Sequence, residues 1–151
     1  MSRYPALVMF IGEYHHAIDA KGRLAVPAKF RAELEKGAVV TKGVDHCLTL
    51  YTMSECKEQA EKISKLSTTQ ANTRAYARHM LAGAMDVQLD KQGRIILPDY
   101  LRAYAGLSKK TVLTGLYNRL EIWDKGVWEE YKTKTEEESG DIAEALGELG
   151  V

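Results

Sequence analysis

Hydrophobic and polar positions change their period several times along the chain, and each change marks an element. Residues 12–18 and 23–26 read as short strands around the turn Asp19-Ala20-Lys21-Gly22, with Asp first and Gly fourth as a type I turn prefers. Pro27 then presets the backbone angle of a helix start, Phe30 and Leu34 share one face, and Gly37 lies where a left-handed C-terminal cap belongs. A short helix over residues 27–36 is predicted, followed by strands at Val39-Val40-Thr41 and Leu48-Thr49-Leu50-Tyr51. Cys56, Ala60 and Ile63 recur at helical spacing and predict a helix over residues 54–66. Ser67-Thr68-Thr69 offers cap side chains for another helix reaching Gly83, with Ala71, Ala75, Tyr76, His79 and Met80 as its packed stripe.

The opening series occurs twice. Ile18-Asp19-Ala20-Lys21-Gly22-Arg23-Leu24-Ala25-Val26-Pro27, with Phe30-Arg31 after it, returns as Leu89-Asp90-Lys91-Gln92-Gly93-Arg94-Ile95-Ile96-Leu97-Pro98, with Leu101-Arg102 after it. Asp, Gly, Arg, Pro and the second Arg are identical, and apolar positions exchange only for apolar ones. Beyond the motif, Val39-Val40-Thr41 answers Val112-Leu113-Thr114, Gly43 answers Gly115, and Leu48-Thr49-Leu50-Tyr51 answers Leu120-Glu121-Ile122-Trp123. Each copy is a unit of roughly 45 residues ordered strand, strand, helix, strand, strand. Two copies are too few for a solenoid, so the halves are expected to pack around a pseudo-two-fold axis in an α+β fold. The chain divides accordingly into a first repeat at 9–53, a helical linker at 54–83, a second repeat at 84–131 and a tail at 132–151. Residues 1–8 have no counterpart and read as an N-terminal extension before a start-like Met9.

At 151 residues the chain is long enough for one substantial core. No apolar run approaches the ~20 residues of a membrane span, and residues 4–10 lack a secretory cleavage pattern, so a soluble cytoplasmic protein with no membrane partner is expected. Cys47 and Cys56 align with Arg119 and Trp128 of the other copy, and His15, His16, His46 and His79 lack ligand spacing. No disulfide framework, metal or other cofactor is expected. Formal net charge is zero, which taken alone argues against a nucleic-acid partner. Its distribution argues the other way. All 21 Lys and Arg lie at or before Lys134, while Glu136, Glu137, Glu138, Asp141, Glu144 and Glu148 lie beyond it, leaving residues 1–135 with 15 acids and a net +6. The body is basic, and the acidic tail reads as a solubilising, frayed terminus that could compete with phosphate for the basic face.

The duplicated turn carries the candidate chemistry. Asp19 and Asp90 accept hydrogen bonds from backbone amides of their own turns, Gly22 and Gly93 supply positive φ, and Arg23 and Arg94 open the outgoing strands. One reading makes each Asp–Arg pair a staple of its hairpin, a contact worth about 0–1 kcal/mol when exposed. The other displays Arg23 and Arg94 together with Lys21, Lys91 and Lys29 on one face of the pseudo-dimer, with Asp19 and Asp90 orienting the arginines. Arginine forks suit the O6 and N7 acceptors of guanine, and lysines suit phosphates, so that face would bind double-stranded DNA. A third reading lets Asp19 and Asp90 share a proton as an acid–base dyad, but an Arg four residues on would keep each ionised. No enzyme and no small-molecule substrate are expected. An oligomeric scaffold without nucleic acid, anchored by Trp123, Trp128 and Tyr131, is the remaining alternative.

At these residues the chain resembles the MraZ family of bacterial regulators, related to the AbrB-like swapped-hairpin DNA-binding proteins. The resemblance spans nearly the whole chain. It rests on Met9-Phe10-Ile11-Gly12-Glu13-Tyr14, on both Asp-x-x-Gly-Arg motifs with their prolines, on Gly43-Val44-Asp45-His46-Cys47-Leu48 and on Leu120-Glu121-Ile122-Trp123-Asp124. It implies a double-split β-barrel built from two β-hairpin/helix repeats, assembly of subunits into a homo-oligomeric ring, and association with the nucleoid. It further implies binding to short G-containing direct repeats upstream of the regulator's own operon in the division and cell-wall gene cluster. The family's Asp-x-x-x-Arg signature falls on Asp19 with Arg23 and on Asp90 with Arg94. Lys21 becomes Gln92 and Ala20 becomes Lys91 in the second copy, so the two surfaces need not contact DNA equally. Residues 1–8 and the acidic end inherit no role from it.

Overall fold

The structure, a computed structural model, describes residues 9–150; the expected extension at residues 1–8 lies outside the described residues. In the first repeat the elements are β1 (Phe10–Ala17), β2 (Arg23–Ala25), a 3-10 turn (Ala28–Phe30) running into α1 (Arg31–Leu34), β3 (Ala38–Lys42) and β4 (Leu48–Thr52). Two linker helices follow, α2 (Met53–Ser64) and α3 (Ala71–Ala77). The second repeat supplies β5 (Met85–Val87), β6 (Arg94–Ile96), α4 (Asp99–Tyr104), β7 (Lys110–Tyr117) and β8 (Leu120–Asp124), and α5 (Lys125–Glu137) and α6 (Ser139–Ala145) end the fold.

The strands form a six-stranded antiparallel sheet in the order β1-β7-β8-β4-β3-β5 and a two-stranded ribbon of β2 with β6. Each repeat therefore gives its first strand to the other. β1 runs in register along all of β7, from Phe10 opposite Tyr117 to Ala17 opposite Lys110, and β5 pairs with β3. The hairpin expected over residues 12–26 is reduced to its turn and one bridge, Ile18 to Leu24. Period-2 alternation specifies that a segment is a strand and which face is apolar, but names no partner. The exchange agrees with the swapped-hairpin resemblance.

Pairing across the axis confirms the pseudo-two-fold. Leu24 lies opposite Ile95 with Arg23 facing Ile96 and Ala25 facing Arg94, and in the large sheet Leu48 faces Ile122 as Leu50 faces Leu120. Equivalent residues of the two copies thus exchange partners symmetrically. Both sheets enclose one core, in which Leu24, Val26, Ile95 and Leu97 from the ribbon side meet Val40, Leu50, Leu113 and Ile122 from the large sheet. This is the α+β double-repeat fold anticipated, a split barrel with helices packed outside it. Close approach also dictates a residue type: a Cβ at Gly115 would come within 2.6 Å of the Ile11 Cα on the neighbouring strand, so only glycine lets β1 lie against β7 there.

The linker and the tail differ from expectation. α3 starts after Gln70 with no side-chain cap, because the Ser67 and Thr69 hydroxyls bond each other at 2.7 Å instead. Its final turns widen into a π-helix over Arg78–Ala82, which shifts the phase of the packed stripe. Ala71, Ala75 and Tyr76 are exposed, Thr73 and Ala77 turn inward, and of the expected stripe Met80 is buried and His79 half-buried. The tail does not fray at residue 132, since α5 continues to Glu137 and α6 follows it. Asp124 caps α5 by accepting from Gly126 N and Val127 N, and Trp128 Nε1 donates to Glu13 on β1 at 2.6 Å.

Candidate nucleic-acid interface

Side chains alternate across the β2–β6 ribbon. Leu24 and Ile95 are fully buried, which turns Arg23, Ala25, Arg94 and Ile96 to the outer face, where Ile96 is 62% exposed. Immediately before each ribbon strand stands a turn built around its aspartate. Asp19 Oδ1 accepts from the amides of Lys21 and Arg23, both at 2.9 Å, while its backbone carbonyl accepts from Gly22 N at 3.0 Å. Asp90 Oδ1 does the same for Gln92 N at 2.8 Å and Arg94 N at 2.9 Å. Gly22 and Gly93 take φ of 79° and 76°, the left-handed region the turn requires.

The second carboxylate oxygen of each Asp holds its arginine. Arg23 Nε donates to Asp19 Oδ2 at 2.6 Å, and Arg94 Nε donates to Asp90 Oδ2 at 2.9 Å. Across the axis, Arg94 Nη1 lies 3.9 Å from Asp19 Oδ2, so both turns meet on one face of the ribbon. Each guanidinium is anchored through Nε, and the Arg23 and Arg94 side chains stay 30% and 28% exposed. Lys21 and Lys91 are exposed at the turn tips, whereas the Lys29 ammonium sits 5.5 Å over the rings of Tyr14 and Phe30.

This geometry also decides the state of the carboxyls. Bonds from the backbone of Arg23, then from its guanidinium and the Lys21 amide, bring Asp19 down from an ordinary 3.8 to about 2, and the Arg94 backbone and side chain lower Asp90 in the same way. Both are therefore carboxylates at neutral pH, with their own arginines in the place where a dyad would keep a shared proton. A depressed folded-state value makes the turn's contribution to stability complete above pH ~4 and lost as pH falls through ~2. Carboxyl-carbon NMR titration of the folded protein should place Asp19 near 2 and Asp90 below its ordinary value. An Asp19 midpoint at or above 4 would contradict the hydrogen-bonded turn.

Other sequence candidates have structural partners. Trp123 is buried and packs with Trp128 and Tyr131 at centroid distances of 5.5 and 5.2 Å, so these aromatics pin α5 to the sheet. His79 Nε2 and Tyr104 Oη both reach the Gly43 carbonyl, at 3.0 and 2.6 Å. Burial pushes the Cys47 thiol up to about 12. Among the described residues the one group with metal-like spacing is Glu13, His15 and Glu129, and the Lys132 ammonium already occupies Glu13 at 2.9 Å.

Sequence reasoning missed Arg31 and Arg102. Arg31 Nε donates to Val26 O and Arg102 Nε to Leu97 O, each at 3.0 Å, and each side chain lies against a turn glycine of the opposite repeat. Their repetition was visible; their partner across the axis was not.

Comparison with known proteins agrees with both the duplication and the extent of the fold. A family described as "MraZ protein, putative antitoxin-like" matches residues 9–79 and again 80–147. Over 143 residues, 95% of this chain and the full length of each relative, the sequence is 49% identical to "Transcriptional regulator MraZ" of Pediococcus pentosaceus. Over the same length it is 48% identical to the protein of that name from Desulfitobacterium hafniense and 46% identical to that of Thermoanaerobacter pseudethanolicus.

Proposed function

The chain belongs to the MraZ family, and from that premise we propose that it is a sequence-specific DNA-binding transcriptional regulator that reads its operator through Arg23 and Arg94. The observation that carries this reading is the convergence of two Asp–Arg turns on the outer face of a two-stranded ribbon, with Arg94 Nη1 3.9 Å from Asp19 Oδ2. A two-stranded ribbon fits the ~12 Å width of a major groove, and an arginine fork bonds guanine O6 and N7 together. Asp19 and Asp90 hold the forks in place before DNA arrives, which reduces the side-chain freedom lost on binding. Gly22 and Gly93 give the turns their shape, and Lys21, Lys91 and Lys29 serve phosphates as point charges.

The operator is a set of short G-containing direct repeats upstream of the protein's own operon, in the division and cell-wall gene cluster, and the protein works at the nucleoid. It binds as a homo-oligomeric ring. An exposed apolar patch favours assembly: Ile11 faces Leu116 at one end of the β1–β7 pair, with Met9 beside them and Tyr117 70% exposed at the hairpin tip. Several modest basic faces on one duplex then gain through effective concentration. No metal, cofactor or small-molecule substrate enters this reading, and among the described residues no helix is long and apolar enough to cross a membrane.

Anisotropy titration with DNA from upstream of the protein's own gene, against scrambled competitor and across salt, tests the proposal, while sizing by light scattering tests the ring. Preference for the upstream DNA with a steep salt dependence is expected. Equal affinity for both DNAs, or none, would leave the scaffold. Lys21→Ala should weaken binding by a similar factor on every sequence and reduce the salt slope by about one. Loss confined to the operator would make Lys21 a base reader.

A further inference from the structure

In each repeat a second arginine follows the first by eight residues, Arg31 after Arg23 and Arg102 after Arg94. Neither belongs to the turn that precedes it. The Arg31 side chain folds back so that Nε donates to Val26 O, and Arg102 does the same to Leu97 O, each bond 3.0 Å long. Folded back, each lies over a glycine of the other repeat. A Cβ at Gly22 would come within 3.1 Å of Arg102 Cζ, and one at Gly93 would overlap the Nε, Cδ and Cζ of Arg31. Positive φ calls for glycine at these turns, and the bare Cα lets the opposite repeat's arginine lie close against each of them.

The backbone runs the same crossing. Val26 N donates to Gly93 O and Leu97 N to Gly22 O, both at 2.9 Å. One peptide segment of the first repeat therefore grips the second turn through its N–H while its carbonyl at Val26 holds Arg31 over that turn's glycine; Leu97 and Arg102 repeat the arrangement in reverse. Arg102 also lines a cleft of about 620 Å³ together with Asp19, Ala20 and Lys109, all adjoining the first turn.

We infer that Arg31 and Arg102 are positioning residues acting across the repeat boundary, Arg31 setting the Asp90–Arg94 turn and Arg102 setting the Asp19–Arg23 turn. Each base-reading arginine is aimed by the opposite half of the molecule, so the two motifs work as one unit. The consequence for DNA rests on the function proposed above; the positioning itself does not.

Amide hydrogen exchange on the full-length protein without DNA provides the first test. Arg31→Ala should raise exchange at Gly93 and Arg94, whose amides bond Asp90, by about tenfold, and leave Gly22 and Arg23 within about twofold of wild type. Arg102→Ala should give the mirror result. Exchange rising in the variant's own turn, or in neither, overturns the inference. Should either alanine variant fail to fold, Arg31→Met and Arg102→Met, which keep the stem without the Nε donor, carry the same expectations.

Operator titration is the second readout. The preference for operator over scrambled DNA should fall about tenfold in either variant with the salt slope unchanged, and Arg31→Lys should not restore it. A uniform loss on all DNA with the slope reduced by about one, or full rescue by lysine, would make these residues phosphate contacts and reject the positioning role. If the wild-type protein shows no operator preference, the DNA reading fails while the exchange experiment still decides whether the turns are set across the boundary.

Discussion

Arg94→Ala is expected to lower operator affinity by about ten- to a hundredfold, the loss of one bidentate guanine contact. Arg23→Ala should cost less, because the two arginines have different surroundings. Arg94 donates to Asp90 at 2.9 Å and lies 3.9 Å from Asp19, so its removal strips a counter-charge from two carboxylates. Both would then face the phosphates of the duplex with Arg23 alone beside them. Removal of Arg23 leaves Asp19 with Arg94 nearby. Titration at one salt concentration measures the difference, with circular dichroism and particle size unchanged in both variants. Wild-type affinity in both would reject the assignment of these arginines, and a larger effect at Arg23 would reject the shared role of Arg94.

Leu24→Ala should destabilise the fold by about 2–5 kcal/mol, the usual loss when a fully buried leucine is truncated. Leu24 has no exposed surface and sits opposite Ile95 on the pseudo-axis, where collapse of the gap would have to move both ribbon strands. Ile96, one position from Ile95 on the same ribbon, faces outward, and Ile96→Ala should stay within about 0.5 kcal/mol of wild type. Urea unfolding of the two variants makes the comparison. A cost below about 1 kcal/mol for Leu24→Ala would show that the ribbon does not close the core.

The duplication made much of this legible in the sequence. Both turns, their glycines at positive φ and the Asp–Arg bonds follow from residue types whose preferences are local. Partners over long distances were not readable. Gly12 pairs with Gly115 although its own turn and β2 are far closer in sequence, and nothing in the alternation of either strand names the other. The packed face of α3 was misplaced because a π-turn at Arg78–Ala82 changes the helical period that the stripe assumed. Ser67 and Thr69 have the right chemistry to cap a helix but satisfy each other. Six carboxylates without a base suggested a frayed tail, yet α5 is nucleated upstream by the Asp124 cap and by Trp128 on Glu13, and extends to Glu137. Arg31 and Arg102 show the same limit: the sequence repeats them, and only the crossing of the two halves gives them work.

The exchange of first strands sets the order of events during synthesis. β1 is made first, but its partner ends at Tyr117. While the intervening residues emerge from the ribosome, an eight-residue strand with apolar Phe10, Ile11 and Tyr14 must wait unpaired. Neither half can complete its hydrogen bonding as a nascent domain, and closure comes late, over a large sequence separation that slows folding. Once β7 has been made, the tethered β1 meets it at a high effective concentration, so the sheet closes within one molecule as its last long-range step.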